Sequence, residues 1–110
     1  MNIRQLECFR EILVTGTVTG AAKALGISQP SASSLIANLE RELGFALFKR
    51  ARGRLEATPE AQYLSSDIQR TLDSLELTTQ RAEQIRDQRV GNLVIATYPD
   101  IAIDFLPKVI

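Results

Sequence analysis

Residues 26–44, GISQPSASSLIANLERELG, decide how this chain is to be read. A glycine break is followed by Ser28, a residue type that caps helices, and by Pro30 in the first turn, where a missing amide hydrogen costs little. From there Ala32, Leu35, Ile36, Leu39 and Leu43 recur at three- and four-residue steps, which places them on one helical face. The opposite positions, Gln29, Ser31, Ser33, Ser34 and Asn38, are polar but not charged, and Gly44 closes the run. A helix with such a slim, hydroxyl-rich face is either solvated or made to lie against something else. Its neighbours in the chain decide between the two.

Upstream, Ile3, Leu6, Phe9, Ile12 and Leu13 give residues 3–14 the period of an amphipathic helix ended by Thr15-Gly16. Thr17-Val18-Thr19 then offers hydroxyl caps, and Ala21-Ala22-Lys23-Ala24-Leu25 is a short helix of strong formers stopped at Gly26. Its alanines allow another helix to come close. Two helices joined by a glycine-containing turn of about three residues form a helix-turn-helix, whose second helix enters the DNA major groove. The helix after Ser28 is then the one that reads.

Downstream, Phe45-Ala46-Leu47-Phe48 and Leu55-Glu56-Ala57 are two short runs around a turn rich in Arg and Gly. The pattern fits a β-hairpin wing, and by itself it fits a plain surface loop equally well. Thr58-Pro59-Glu60 starts a helix with a cap, a proline and an acid in sequence. No glycine or further proline interrupts before Arg89, so this helix runs for about 30 residues, or ~45 Å at 1.5 Å per residue. Ala61, Leu64, Ile68, Leu72, Leu75, Ala82 and Ile85 form a narrow stripe near heptad spacing, and the first 58 residues are too few to cover it, so dimerisation along the helix is expected. After Gly91, Asn92–Tyr98 reads as a buried strand, Pro99-Asp100 as a turn and Ile101–Ile110 as the start of a helix. A strand and a helix close no sheet, so this tail is expected to be the opening of a further domain. The expected fold is mainly α: a winged helix-turn-helix over 1–58, a linker helix over 59–90 and a short α/β fragment over 91–110.

Composition narrows the chemistry. The 110 residues hold one cysteine, Cys8, and no histidine, which removes internal disulfides, cysteine metal clusters and the commonest general base. The scattered carboxylates fall on helical patterns and read as solvated faces, so neither an enzyme nor a bound cofactor or metal is expected. With 45% apolar and 24% charged residues and no apolar run near ~20 residues, nothing reads as a signal peptide or a membrane span, and a cytoplasmic chain is expected. The formal net charge of zero hides an asymmetry: residues 1–58 carry eight Lys/Arg against five acids. Four of the eight fall in Lys49-Arg50-Ala51-Arg52-Gly53-Arg54, the kind of cluster that meets a polyanion. A winged helix used for protein contacts alone is the competing reading, since fold does not fix function.

The chain resembles the N-terminal part of the LysR-type transcriptional regulators over essentially its whole length. The resemblance rests on Leu6-Glu7-Cys8-Phe9, Thr17-Val18-Thr19 with Ala21-Ala22 and Leu25, Ser28-Gln29-Pro30-Ser31, Leu39-Glu40-Arg41-Glu42-Leu43-Gly44, Leu47-Phe48-Lys49-Arg50 and Thr58-Pro59-Glu60, in order and at family spacing. Gly91-Asn92-Leu93-Val94-Ile95 and Phe105-Leu106-Pro107 are similar to the start of the family's effector domain. Around Arg52-Gly53-Arg54-Leu55 and Tyr98-Pro99 the wording is similar to the branch containing lysine-biosynthesis and opine regulators, which implies an amino-acid-like inducer.

The resemblance implies a regulator that binds palindromic promoter DNA as a dimer through the linker helix, or as a tetramer in a full-length protein, under control of a small-molecule inducer. It leaves room for RNA polymerase as a further partner. Thr97, Tyr98 and Pro99 would then belong to effector binding. Gln29 suits adenine by paired hydrogen bonds; Pro30, Ser31, Ser33, Ser34 and Asn38 share its face, with hydroxyls fit for base edges or phosphate. Caps at Thr17, Thr19 and Ser28 leave helix N-termini to meet phosphates, and Lys49, Arg50, Arg52 and Arg54 would flank the backbone or enter a narrow minor groove. One departure is visible: the family usually carries arginine where this chain has Ser34, and often another basic residue near Ala37 or Asn38. A missing bidentate arginine forgoes about 1–3 kcal/mol of discrimination at a guanine, which favours an A/T-rich site or a larger share for the wing.

Overall fold

A computed structural model describes residues 1–88. Its elements run α1 (Ile3–Thr15), α2 (Val18–Leu25), α3 (Gln29–Leu43), β1 (Phe48–Ala51), β2 (Arg54–Ala57) and α4 (Pro59–Asp87). The fold is mainly helical, with β1 and β2 paired antiparallel as a wing. The expected strand and helix beyond Gly91, and with them Thr97, Tyr98 and Pro99, lie outside the described residues.

Local chemistry sets the helix ends. Asn2 and Gln5 form a reciprocal capping box, the Gln5 amide donating to Asn2 Oδ1 at 2.9 Å and the Asn2 amide to Gln5 Oε1 at 2.8 Å. Thr17 caps α2 by accepting from the Gly20 amide at 2.9 Å, and Ser28 caps α3 by accepting from the Ser31 amide at 3.2 Å. So α2 begins at Val18, not at Ala21 as the propensities of the alanine run indicate, and Thr19 sits inside its first turn instead of capping it. A single well-placed hydroxyl outweighs three residues of indifferent propensity.

The core joins Leu6, Cys8, Phe9 and Ile12 of α1 to Ala21 and Ala22 of α2, Ala32, Ile36 and Leu39 of α3, and Leu47. Phe9, Ile12, Leu39 and Leu47 are wholly buried, worth roughly 1.5–3 kcal/mol each relative to exposure. Within the expected stripe of α3, Ala32, Ile36 and Leu39 are buried, while Leu35 and Leu43 are partly so. The base of the wing is fastened by polar bonds. Glu40 Oε2 accepts from the Leu47 amide at 2.7 Å, the Thr58 amide donates to the Leu47 carbonyl at 3.0 Å, and the Thr58 hydroxyl donates to the Ala46 carbonyl at 2.7 Å. The same Thr58 oxygen accepts from the Ala61 amide and so caps α4. Because these bonds hold residues 46 and 47, β1 starts only at Phe48, and Lys49 and Arg50 lie within the strand, not in the turn.

The chain divides into two compact units, the first covering Met1–Asp73. The first unit takes in the first half of α4. Ala61, Ile68 and Leu72 are buried in the core and Leu64 packs against it, so the first four members of the expected dimer stripe serve this chain's own core. The physical reason is size: three short helices bury too little surface alone, and the first turns of α4 supply what is missing. In the second unit, Leu75, Leu77 and Ile85 are exposed at 39%, 46% and 54%, and Ala82 is exposed too.

Candidate nucleic-acid interface

The outer face of α3 carries Gln29, Pro30, Ser31, Ser34 and Asn38 exposed to solvent, with Ser33 half-buried. From Gln29 to Leu39 the helix bears no charge. Its polar groups bond along the helix: the Ser28 hydroxyl donates to Ser31 Oγ at 2.9 Å, the Gln29 amide nitrogen donates to Ser33 Oγ at 3.1 Å, and Arg41 donates to Asn38 Oδ1. A surface so short and so evenly polar presents donors and acceptors close to the helix axis, which is what close approach to base edges needs.

On one flank of α3, Gly16, Thr17, Val18, Thr19, Gln29, Arg50, Gly53 and Leu55 line a polar cavity of about 250 Å³. The first turn of α2, the start of α3 and the wing therefore meet in one place. The unsatisfied amides at a helix start carry partial positive charge, and Arg50 adds a full one, so the cavity favours an anion.

The wing owes its position to a tight turn and a close docking. Arg52 (φ 54°) and Gly53 (φ 78°) both take left-handed backbone, the signature of a two-residue type I′ hairpin turn. Register sets Arg50 opposite Leu55 and Lys49 opposite Glu56. Since side chains alternate along a strand, Lys49 stands on the face away from Arg50 and the cavity. The Leu55 amide donates to the Gly16 carbonyl at 2.9 Å, and the Arg54 guanidinium crosses Gly16 to donate to the Thr15 carbonyl at 3.2 Å. A β-carbon on Gly16 would displace the Arg54 guanidinium, and the φ of 79° itself favours glycine there. Arg54 is thus a strut between wing and α1, and neither it nor Lys49 lines the cavity. Phe48 braces the same junction, its ring centroid 5.3 Å from that of Phe9.

On the other flank of α3, Arg4, Ile27, Pro30, Ser31, Ser34, Leu35 and Asn38 line an open groove. Arg4, which sequence reasoning did not single out, lines this groove. Its one signal was the position three residues before Glu7 on a helix, which reads as an ordinary surface pair.

Ionisable groups elsewhere are structural. Burial pushes the Cys8 thiol up, Arg4 opposing and Glu11 adding to it, and the thiol lies 3.6 Å from the Ala32 carbonyl. Glu42 is held below the usual carboxylate range first by its bond to the Met1 amino group, at 2.7 Å, and then by Gln5. Among the described residues no cluster of three His, Cys, Asp or Glu side chains is placed to hold a metal.

The model of the "Bacterial regulatory helix-turn-helix protein, lysR family" matches residues 3–62, more than half of the chain. The chain belongs to the LysR family. Among its relatives are the HTH-type transcriptional regulator DgcR of Pseudoalteromonas sp, 38% identical over 97% of this chain and 37% of that protein, and the transcriptional activator protein LysR of Escherichia coli K12, 36% identical over 100% and 35%. Two solved neighbours of this LysR-family chain are DNA complexes. The BenM DNA-binding domain with benA site 1 DNA superposes with a TM-score of 0.72 at 30% identity, covering 80% of this chain and 99% of that one; the CbnR DNA-binding domain with DNA gives 0.69 at 29%, covering 78% and 99%. These relatives are transcriptional regulators, not enzymes. The chain spans about a third of the length of the curated relatives it matches.

Proposed function

We propose that this LysR-family chain is the DNA-reading part of a transcriptional regulator, with α3 in the major groove of promoter DNA. One observation carries the reading: the start of α2, the start of α3 and Arg50 of the wing converge on one polar cavity beside an uncharged, short-side-chain face of α3. In this reading a backbone phosphate occupies the cavity against Thr17, Thr19 and Arg50. Gln29 reads adenine, Pro30, Ser31, Ser33 and Ser34 pack against base edges and thymine methyls, and Arg52 at the wing tip follows the backbone or a narrow minor groove.

The further parts of the proposal come from the family. Exposed Leu75, Ala82 and Ile85 on α4 support pairing of two copies on a palindromic site, and a full-length protein would assemble further as a tetramer, answer to a small, amino-acid-like inducer, and contact RNA polymerase in the cytoplasm. No helix among the described residues is long and apolar enough to cross a membrane.

The deciding experiment titrates the purified chain into labelled DNA from the region upstream of its own gene, against scrambled DNA, at several salt concentrations. Preferential binding that weakens with salt is expected. Salt-sensitive binding without preference would restrict the chain to backbone contact, and no binding at all would turn the reading toward protein partners.

A further inference from the structure

The groove beside α3 on its α1 side has a use that the cavity on the wing side suggests by contrast. A helix lying in a major groove about 12 Å wide runs between two rows of phosphates, one on each flank. On the wing flank, Gln29 and Arg50 share a cavity. On the opposite flank, Pro30, Ser31, Ser34, Leu35 and Asn38 share a groove with a single cation, and that cation comes from α1. We propose that Arg4 is a second backbone clamp, binding a phosphate of the DNA strand that borders α3 on the side away from the wing.

The local geometry suits Arg4 to the role. Arg4 Nη1 donates to Glu7 Oε1 at 3.1 Å and Nη2 donates to the Leu25 carbonyl at 3.2 Å. These two bonds fix the guanidinium beside the groove and use two of its five N–H donors, so three remain for an incoming oxygen. The side chain is 48% exposed, open enough to be met without rearrangement. A guanidinium already held in place loses less freedom on binding than a swinging lysine, and its planar fork matches a phosphate. From Gln29 to Leu39 α3 carries no charge, and Arg41, its one cation, is not among the residues lining the groove and is bonded to Asn38. Glu7, 28% exposed, tempers the positive charge, which makes its removal informative.

The proposal rests on the DNA-reading function above, and the test separates the two. Arg4→Gln and Glu7→Gln are made in the full chain and compared with the unsubstituted chain on preferred and scrambled DNA, with thermal midpoints measured alongside. Arg4→Gln is expected to weaken both DNAs by the same factor, leaving their ratio within about twofold, and to lower the magnitude of the salt slope by about 0.9 per protomer. Glu7→Gln, which keeps the guanidinium and removes the competing carboxylate, is expected to strengthen binding. Opposite signs in the two variants support the clamp. Losses in both that follow the thermal midpoint would reduce the pair to a strut between α1 and α2 and overturn it. An unchanged slope for Arg4→Gln overturns it too, and a shift of preference at one base pair without a slope change would make Arg4 a base reader instead. Failure of the unsubstituted chain to bind DNA would remove the DNA reading itself and this proposal with it.

Discussion

Gly16 shows how much can depend on one residue without a functional group. It holds a left-handed φ, accepts the Leu55 amide and leaves room for the Arg54 guanidinium. Gly16→Ala is expected to cost about 1–2 kcal/mol from the backbone alone, with the displaced Arg54 adding to it. Gly44, with a φ of 87° and nothing near its would-be β-carbon, calibrates the backbone part. Thermal unfolding should therefore show Gly16→Ala below Gly44→Ala, by several degrees at roughly 4–8 °C per kcal/mol, and Arg54→Ala should narrow that gap. An equal loss at both glycines would deny the docking of the wing on α1. Arg52 poses the opposite case, a charged residue in left-handed backbone at the tip of the hairpin. Arg52→Gly is expected to stabilise the chain by up to about 1 kcal/mol while lowering the salt slope of DNA binding by about 0.9 per protomer. A destabilised variant would mean that the arginine side chain packs in a way that its exposure denies.

The elements differ in how far their own residues announce them. Helix α3 was legible in full, because Ser28, Pro30, the apolar period and Gly44 are all local signals and the fold agrees with each. The start of α2 was not, since its cap reaches only to Gly20 and the intervening valine and threonine carry little propensity. The wing was half legible: its turn shows in Arg52-Gly53, but its start at Phe48 depends on bonds from Glu40 and Thr58, seven and eleven residues from Leu47. For the site, Gln29 and Arg50 could each be singled out by motif and charge, whereas their meeting at one cavity, the bond of Arg54 to the Thr15 carbonyl and the placement of Arg4 beside α3 come from packing between elements. The same non-local effect splits the α4 stripe, because periodicity is identical for a residue that meets its own core and one that meets another copy. Ile68→Ala should cost about 2–5 kcal/mol at any protein concentration, as a cavity in the core does. Leu75→Ser with Ile85→Ser should leave unfolding of the first unit unchanged and weaken self-association, read by sedimentation across a dilution series. A core loss from the double variant would put those two side chains back inside the chain.

At the scale of the whole molecule, charge and association are linked. The formal net charge of zero masks the excess of Lys/Arg over acids in residues 1–58, and the salt dependence should be set by the particular cations that meet phosphates. If Arg4, Arg50 and Arg52 each neutralise one phosphate in each of two protomers, the slope is about −5, and affinity falls about a thousandfold between ~50 and ~200 mM salt. One protomer acting alone would have half that slope and lose only about thirtyfold over the same range. The Leu75→Ser, Ile85→Ser variant therefore predicts a coupled result: where sedimentation shows monomers, the slope should fall to about half and the preference for two half-sites one helical turn apart should vanish together. A monomeric variant that keeps the full slope would mean that cations other than these three carry the contact. A full slope with the dimer intact would place the pairing surface on other residues of the chain.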